Sequence, residues 1–463
     1  MRKKAGGTDH KGDPTDLKGD LTEGPVFATM LLFALPMIFG NLLQQGYNVV
    51  DTWVVGHFVG SGALAAVGSA FALMTFLTSA LLGLCMGSGI VFSLCFGRRD
   101  GEALRRSLCA SFVLVTVTAA LLTAAALAAV EWILNWLNIP PEITDMTREY
   151  LVLVFAGIPA IALYNYFAAY LKAIGNSLMP LAFLGLSTVL NIGLDLLFVA
   201  VWGRGTAGAA QATVIAQYVS GAGIAVYVLA VSGEMRSAFR HFRVRRESLL
   251  EIANYSLLTC LQQSVMNLGI LMVQGLVNSF GTAVMAAFAA ATKIDAFAYM
   301  PLQEYGNAFS TFVAQNIGAG RRERVREGLS RAFLSVILYC AAAGAVLWVL
   351  AEPLMRFFIS GDEMEIIAEG VRVLHTLCPF YFGIGCLFLF YGLYRAIGRP
   401  ALSVVLTVVS LGTRVALAYL LSSVPGIGVA GIWWSIPIGW ALADSLGALF
   451  LRRTVFAGTG MRS

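Results

Sequence analysis

The sequence predicts an all-α membrane protein whose twelve transmembrane helices form two six-helix lobes, related by a pseudo-twofold axis along the membrane normal. Three observations predict this fold class: an apolar composition, a one-sided distribution of basic residues and an internal repeat. Hydrophobic residues make up 58% of the 463-residue chain and charged residues only 12%, about half the charged share of an ordinary soluble domain. With a mean hydropathy of +0.77, this much apolar surface requires a lipid environment.

Twelve apolar stretches are long enough to cross a bilayer core, which needs roughly 20 residues per helix. Short charged or glycine-containing turns separate them. The predicted spans lie near residues 28–50, 62–92, 107–130, 150–171, 178–200, 207–232, 251–278, 283–316, 329–351, 368–394, 401–421 and 430–451.

Basic residues favour one side of the predicted membrane. When alternate loops are assigned to opposite sides, 25 of the 31 Lys and Arg residues fall on the side of the N-terminus and four fall on the other. The remaining two, Lys293 and Arg414, lie inside predicted helices. Because cytoplasmic loops carry an excess of Lys and Arg, both termini are predicted to be cytoplasmic.

The two halves of the chain repeat each other. The sequence AIG at 173–175 recurs at 396–398, and Ala207-Gly208 recurs as Ala430-Gly431, both at a shift of 223 residues. Since each half has an even number of spans, the repeats run parallel, as in transporters built from two rocking lobes. The predicted organisation is a disordered cytoplasmic tail (1–24), a first lobe (25–234), a cytoplasmic linker (235–249), a second lobe (250–455) and a cytoplasmic tail (456–463).

Several segments carry a family resemblance. The first span reads PMIFGNLLQQGYNVVDTWVVGHFVG, the loop after the fourth reads YLKAIGNSLMP, and the eighth span ends in FSTFVAQNIGAG. In this order, and across residues 25–455, the chain resembles the multidrug and toxic-compound extrusion (MATE) transporters. The resemblance implies efflux of varied, often cationic and amphipathic compounds in exchange for Na⁺ or H⁺. It also implies a V-shaped bundle that opens alternately to each side.

The first half places two acidic residues inside predicted helices, Asp51 and Asp195. Acidic groups at membrane depth are costly and usually functional. In a subgroup of the resembled family, aspartates of the first and fifth spans hold the coupling cation, and Asn and Thr groups complete the pocket. The positions that match this pattern are Asp51, Asn165, Asn191, Asp195 and Thr213. Carboxylate, amide and hydroxyl oxygens suit Na⁺, but a pair of aspartates can also share a proton, so both coupling ions stay open, and no other cofactor is expected.

The second half lacks these groups, because Arg414 and Ala418 stand where Asn191 and Asp195 would repeat. It carries a different set of charges within spans: Lys293, Asp295, Glu304 and Arg414. They could form a charge network that controls lobe closure, line the substrate path, or hold helices together as buried ion pairs. The residues considered for the substrate path are Gln44, Tyr47, Asn48, Gln262, Gln263, Asp295 and Glu304.

Other function classes lack their motifs. No HExxH, GxSxG or Walker sequence is present, so neither a membrane enzyme nor an ATP-driven pump is expected. Basic residues occupy short loops rather than a broad face, which argues against nucleic-acid binding. The remaining alternative is a lipid-linked precursor flippase of the same wider superfamily, although the acidic first-lobe interior favours cationic substrates. We therefore expect a monomer in the plasma membrane that contacts lipid and drug-like small molecules.

Overall fold

The structure is a computed structural model and describes residues 19–136, 141–359 and 363–453. Both predicted tails extend into the residues outside these ranges. Within the described residues, twelve helical segments are long and apolar enough to cross a membrane, which confirms the predicted number. The helices extend a few residues beyond the predicted apolar stretches because polar and glycine residues continue them at the ends.

The first half contains nine helical elements, two of which share the fourth span. They are α1 (Val26–Phe58), α2 (Ser61–Gly97), α3 (Gly101–Ala128), α4 (Val130–Trp136), α5 (Pro141–Ala156), α6 (Ile158–Ala173), α7 (Leu178–Asp195), a π-helical segment (Leu196–Val201) and α8 (Gly205–Val231).

A short helix, α9 (Gly233–Arg240), begins where the linker is predicted. Its N-terminus is capped by the Ser232 hydroxyl, which accepts a hydrogen bond from the Met235 N–H at 3.1 Å. The second half then contains α10 (Arg246–Asn278), α11 (Thr282–Gly318), α12 (Arg322–Phe358), α13 (Met364–Leu377), a 3₁₀ turn (Cys378–Phe380), α14 (Tyr381–Ala396), α15 (Pro400–Ser422) and α16 (Ala430–Leu451).

The backbone repeats where the sequence repeats. Gly175 and Gly398, the last residues of the two AIG turns, have φ values of +87° and +79°, a left-handed conformation that favours glycine. The fourth and tenth spans are each interrupted near a proline. The break between α5 and α6 is at Gly157, two residues before Pro159, and the 3₁₀ turn contains Pro379. Matching turns and matching breaks support descent of the two lobes from one duplicated unit.

Two hydrophobic cores divide the bundle. One lies mainly within the first lobe and the other mainly within the second. The first half of α1, which buries Met30, Phe33 and Met37, packs into the core of the second lobe, whereas Val54 and Val55 near its end pack into the first. Helix α1 therefore bridges the two lobes.

The lobes touch each other at one end of the bundle, called here the basic end because Arg98, Lys172 and Arg321 lie there, at helix ends or in the adjoining turns. There the backbones of α2 and α11 come so close that a Cβ on Gly97 would lie 2.1 Å from the Gln315 carbonyl oxygen. Nearer the middle, the hydroxyls of Ser88 on α2 and Ser256 on α10 lie 3.0 Å apart. These contacts close the basic end.

Residues 19–25, called here the N-terminal strap, are bound across the same end. The prediction of a disordered tail is wrong for residues 19–24, because the Leu21 N–H donates to Gln315 Oε1 at 3.0 Å and Leu21 is 3% exposed. Arg324 also donates to the carbonyls of Leu21, Glu23 and Gly24. These are bonds to the strap backbone, which side-chain composition does not reveal.

Gln315 also joins the two lobes, since its Nε2 donates to the Ala173 carbonyl at 2.8 Å. We predict that Gln315→Ala lowers the free energy of unfolding by about 1–3 kcal/mol, because it leaves buried groups of both partners unpaired. Thermal unfolding of the purified protein in detergent measures this. The matched control is Gln303→Ala on the same helix, where the side chain has no hydrogen bond to the described residues. Equal melting temperatures for the two variants would contradict the bridging role.

Candidate cation and substrate site

The predicted aspartates meet inside the first lobe. Asp51 lies on the second half of α1 and Asp195 is the last residue of α7, and their side chains lie within hydrogen-bonding range of each other. Both carboxylate oxygens of Asp195 and one of Asp51 have no donor among the described residues, and Asp195 is fully buried. Buried charge needs a compensating partner. Two carboxylates in such a setting are able to share a proton or to bind a cation.

Asn191 and, through it, Thr213 adjoin this pair, whereas among the described residues no contact joins Asn165 to either carboxylate and Asn165 lines the cavity. The Asn191 amide nitrogen donates to the Thr213 hydroxyl at 3.2 Å, which leaves its buried carbonyl oxygen without a donor. Asn191 also contacts Asp195. The Asn165 amide nitrogen likewise donates a hydrogen bond to the Ile161 carbonyl at 2.8 Å. Because an amide that donates through nitrogen keeps its oxygen as an acceptor, both asparagines retain oxygen ligands for a cation.

The backbone changes type at this site. The π-helical segment Leu196–Val201 begins directly after Asp195. Such segments are rare in helices and often occur at functional sites. At the corresponding place in the second lobe, α15 continues as a regular α-helix to Ser422. The irregularity thus accompanies the carboxylate pair and is absent from its repeat within the described residues.

Two tyrosines complete the surroundings of the pair. Tyr47 on α1 and Tyr150 on α5 both lie within electrostatic reach of Asp51 and Asp195. Sequence reasoning placed Tyr47 on the substrate path but missed Tyr150. A single tyrosine near the start of a span is more often an interface residue, so the sequence held no signal that separates Tyr150 from that group.

A cavity of about 300 Å³ adjoins this region within the first lobe, and of the described residues that line it Glu304 alone comes from the second lobe. Asn165, Asn191 and Thr213 line it, whereas Asp51 and Asp195 do not. The three predicted neutral ligands therefore face the cavity, whereas the two aspartates are not part of its lining. Further polar lining residues are Asn41, Gln44, Tyr164, Lys172, Ser177, Ser187, Thr188, Gln217, Ser220 and Glu304.

The substrate-path candidates divide between those that line this cavity and those that do not. Gln44, Tyr47 and Glu304 line it. Asn48, Gln262, Gln263 and Asp295 are not among its lining residues. Gln262 is 2% exposed, and it lies on α10, which packs closely against α2. A helical sequence pattern does not show which polar face meets the other lobe.

The second-lobe charges are not joined to each other as ion pairs among the described residues. Lys293 is exposed, and Asp295 accepts a hydrogen bond from the Tyr381 hydroxyl at 2.6 Å. The Nε of Arg414 is buried without an acceptor. Glu304 instead accepts a hydrogen bond from Asn41 of the first lobe at 3.3 Å. Lys293 and Glu304 are thus not in contact, although they lie eleven residues apart, about three turns, on α11.

The sequence profile of the MatE family matches residues 36–197 and 256–420. The chain is 29% identical to "Probable multidrug resistance protein YpnP" of Bacillus subtilis, over 94% of this chain and 96% of that protein. It is 25% identical to "Probable multidrug resistance protein NorM" of Thermotoga maritima, over 87% of each.

A solved structure described as the outward-facing conformation of a multidrug resistance MATE family transporter superposes with a TM-score of 0.89. It is 23% identical and covers 96% of this chain and 99% of that one. This likeness shows the fold, which confirms the all-α arrangement predicted from the sequence. Together with the family match, it identifies the chain as a multi-pass membrane transporter and not an enzyme: the protein belongs to the MatE family of multidrug efflux transporters.

Proposed function

We propose that the protein is a secondary active exporter that expels amphipathic, often cationic compounds in exchange for Na⁺ or H⁺. The observation that carries this proposal is the pair of buried aspartates, Asp51 and Asp195, next to a cavity. Three of their carboxylate oxygens have no hydrogen-bond donor among the described residues, and the cavity is large enough for a drug-like molecule. Binding sites for small molecules typically measure about 300–1,000 Å³. A site that takes a cation beside a cavity that takes a substrate supports an exchange reaction.

Exchange requires that cation and substrate favour different conformations, since equal affinity for both would shift nothing. In this mechanism, cation entry neutralises Asp51 and Asp195 and lets α1 pack more closely against α7 and α8. That movement narrows the cavity, because Gln44 and Tyr47 on α1 line it. The substrate is then released to the side opposite the basic end. Asn165, Asn191 and Thr213 supply neutral oxygens to the cation.

The flippase alternative is not favoured by the comparisons, since the relatives from Bacillus subtilis and Thermotoga maritima are described as probable multidrug resistance proteins. The cavity also offers little for a pyrophosphate headgroup. Its lining contains one basic residue, Lys172, together with one acidic residue, Glu304. A headgroup with several negative charges would require a more basic surface.

We predict that Asp51→Asn and Asp195→Asn each abolish gradient-driven efflux while the protein still folds and inserts. The reason is that a neutral amide neither holds a proton nor attracts Na⁺ as a carboxylate does. Efflux of a cationic dye from proteoliposomes, under an imposed Na⁺ gradient or an imposed pH gradient, measures this loss and identifies the ion.

The control for this experiment is Asp295→Asn. Asp295 is another aspartate at membrane depth, but its partner is the Tyr381 hydroxyl and not a second carboxylate. We expect this substitution to weaken transport less. Efflux at the wild-type rate in the Asp51→Asn, Asp195→Asn double variant would rule out the site.

We also propose that the protein works as a monomer in the plasma membrane with both termini in the cytoplasm. The support for the orientation is the basic end, where the loops rich in Lys and Arg lie. In this orientation the predicted linker (235–249) lies in the cytoplasm and joins the two predicted lobes (25–234 and 250–455). The carboxylate pair would then lie nearer the outer surface.

Cysteine labelling tests the orientation. In a background without native cysteines, Ser279→Cys, in the loop between α10 and α11, should react with a membrane-impermeant maleimide on intact cells. Glu247→Cys, at the start of α10, should react only after the membrane is opened. Both positions are exposed, so accessibility within the protein does not limit either reaction. Labelling of Glu247→Cys in intact cells would overturn the orientation.

A further inference from the structure

The cavity differs from the acidic interior expected from sequence. Its charged lining residues are Lys172, from α6 of the first lobe, and Glu304, from α11 of the second. Asp51 and Asp195 stand behind the wall and add no carboxylate to the lining. A ligand in the cavity therefore meets one positive and one negative side chain, each contributed by a different lobe.

Lys172 has no acidic partner in the part of the chain that the structure describes. It makes neither an ion pair nor a hydrogen bond with the described residues, although it lies at the end of a membrane-spanning helix and lines a protein cavity. An ammonium group in such a place retains its full capacity of three hydrogen-bond donors. It is available to an anionic group of a ligand.

Glu304 is held so that one of its carboxylate oxygens remains available. Its Oε1 accepts from Asn41 Nδ2 at 3.3 Å and, more weakly, from Asn307 Nδ2 at 3.5 Å. No hydrogen bond from the described residues reaches its Oε2. Among the described residues Glu304 has no ion pair within 4.0 Å, and the positive charge of Arg395 acts on it only from farther away. A cationic group of a ligand would therefore be its first counter-charge in direct contact.

A buried arginine orients this carboxylate. Arg395 on α14 is 4% exposed and donates to Asn307 Oδ1 at 3.1 Å and to the Tyr391 carbonyl at 3.1 Å. Because Arg395 binds the oxygen of the Asn307 amide, the amide nitrogen is turned toward Glu304. Arg395 and Asn307 are thus positioning residues that fix where the negative charge enters the cavity.

The two charges lie at different depths. Gln315 contacts the carbonyl of Ala173, the residue after Lys172, so Lys172 begins near the level of Gln315. Glu304 precedes Gln315 by eleven residues, or about 16 Å along the helix axis at 1.5 Å per residue. The long side chain of Lys172 shortens this separation. The charges therefore suit two ends of one elongated molecule better than a single ionic group.

We propose that Lys172 and Glu304 form a two-point site for zwitterionic amphiphiles, with the ligand's carboxylate at Lys172 and its ammonium or iminium group at Glu304. This proposal rests on the proposed export function and names a substrate class for it. The apolar part of the molecule would lie against Met37, Leu181 and Leu184, which also line the cavity. Purely cationic compounds bind through Glu304 alone, so a free carboxylate on the ligand adds affinity.

Rhodamine B and its ethyl ester provide a matched test, because they share one cationic ring system and differ in whether the carboxylate is free. The measurement is the Kd of each dye for the purified full-length protein at neutral pH, by fluorescence anisotropy. Lys172→Met should raise the Kd of rhodamine B by roughly tenfold, the loss expected for one charge-assisted hydrogen bond, and leave that of the ester unchanged. Glu304→Gln should weaken both dyes.

Two further variants distinguish a specific loss of the Lys172 contact from general disruption of the fold. Lys172→Arg keeps the charge and should retain rhodamine B binding, and Lys293→Met removes an exposed lysine outside the cavity and should change neither dye. The proposal is overturned if Lys172→Met affects both dyes equally or neither, or if the wild-type protein binds neither dye.

Efflux distinguishes this proposal from the one on which it rests. If wild-type proteoliposomes export the ester under a gradient while Lys172→Met leaves rhodamine B binding intact, the two-point site is wrong and the export function stands. If dye binding follows the two charges but no Na⁺ or pH gradient drives efflux, the site is supported and the exchange mechanism is wrong.

Discussion

Inside a bilayer there is no water to satisfy a polar group, so each donor and acceptor must find its partner within the protein. Helices meet this demand for the backbone, and hydroxyls such as those of Thr78 and Thr188 meet it by bonding the carbonyl four residues earlier. Among the described residues, six of the ten buried side-chain atoms without a partner lie in one region, and the other four belong to Gln262, Tyr305, Arg414 and Asp444. Buried side-chain oxygens without a donor include those of Asn41, Asp51, Asn191, Asp195 and Gln217, which line the cavity or lie directly behind it.

Helix α1 connects this region to the rest of the bundle. Its first half packs into the core of the second lobe, and its second half carries Asp51 against Asp195 of the first. A change at the carboxylate pair therefore acts on a helix that is anchored in both lobes. The N-terminal strap, bound by Gln315 and Arg324, holds the beginning of the same helix at the closed basic end. This geometry offers a physical route from cation binding to lobe movement.

Sequence alone predicted the twelve spans, because length and hydropathy determine them. It also predicted the cluster of Asp51, Asn191, Asp195 and Thr213, because helical spacing and family resemblance agree on those positions. It did not predict the strap, whose contacts are made by backbone carbonyls. It also predicted an acidic cavity, whereas Lys172 and Glu304 supply the lining charges. Whether Glu304 of the second lobe reaches a cavity that the first lobe lines depends on how the lobes meet, and no periodicity within a single helix contains that information.

The central claim is that cation and substrate compete through one conformational equilibrium. Equilibrium binding tests it most directly, by measuring the Kd of a cationic dye for the purified protein over a range of Na⁺ concentrations and of pH. The account predicts that one of these cations weakens dye binding, and that the dye weakens binding of that cation by the same factor, as thermodynamic linkage requires. A dye affinity that is independent of both Na⁺ and pH in the wild-type protein would contradict it.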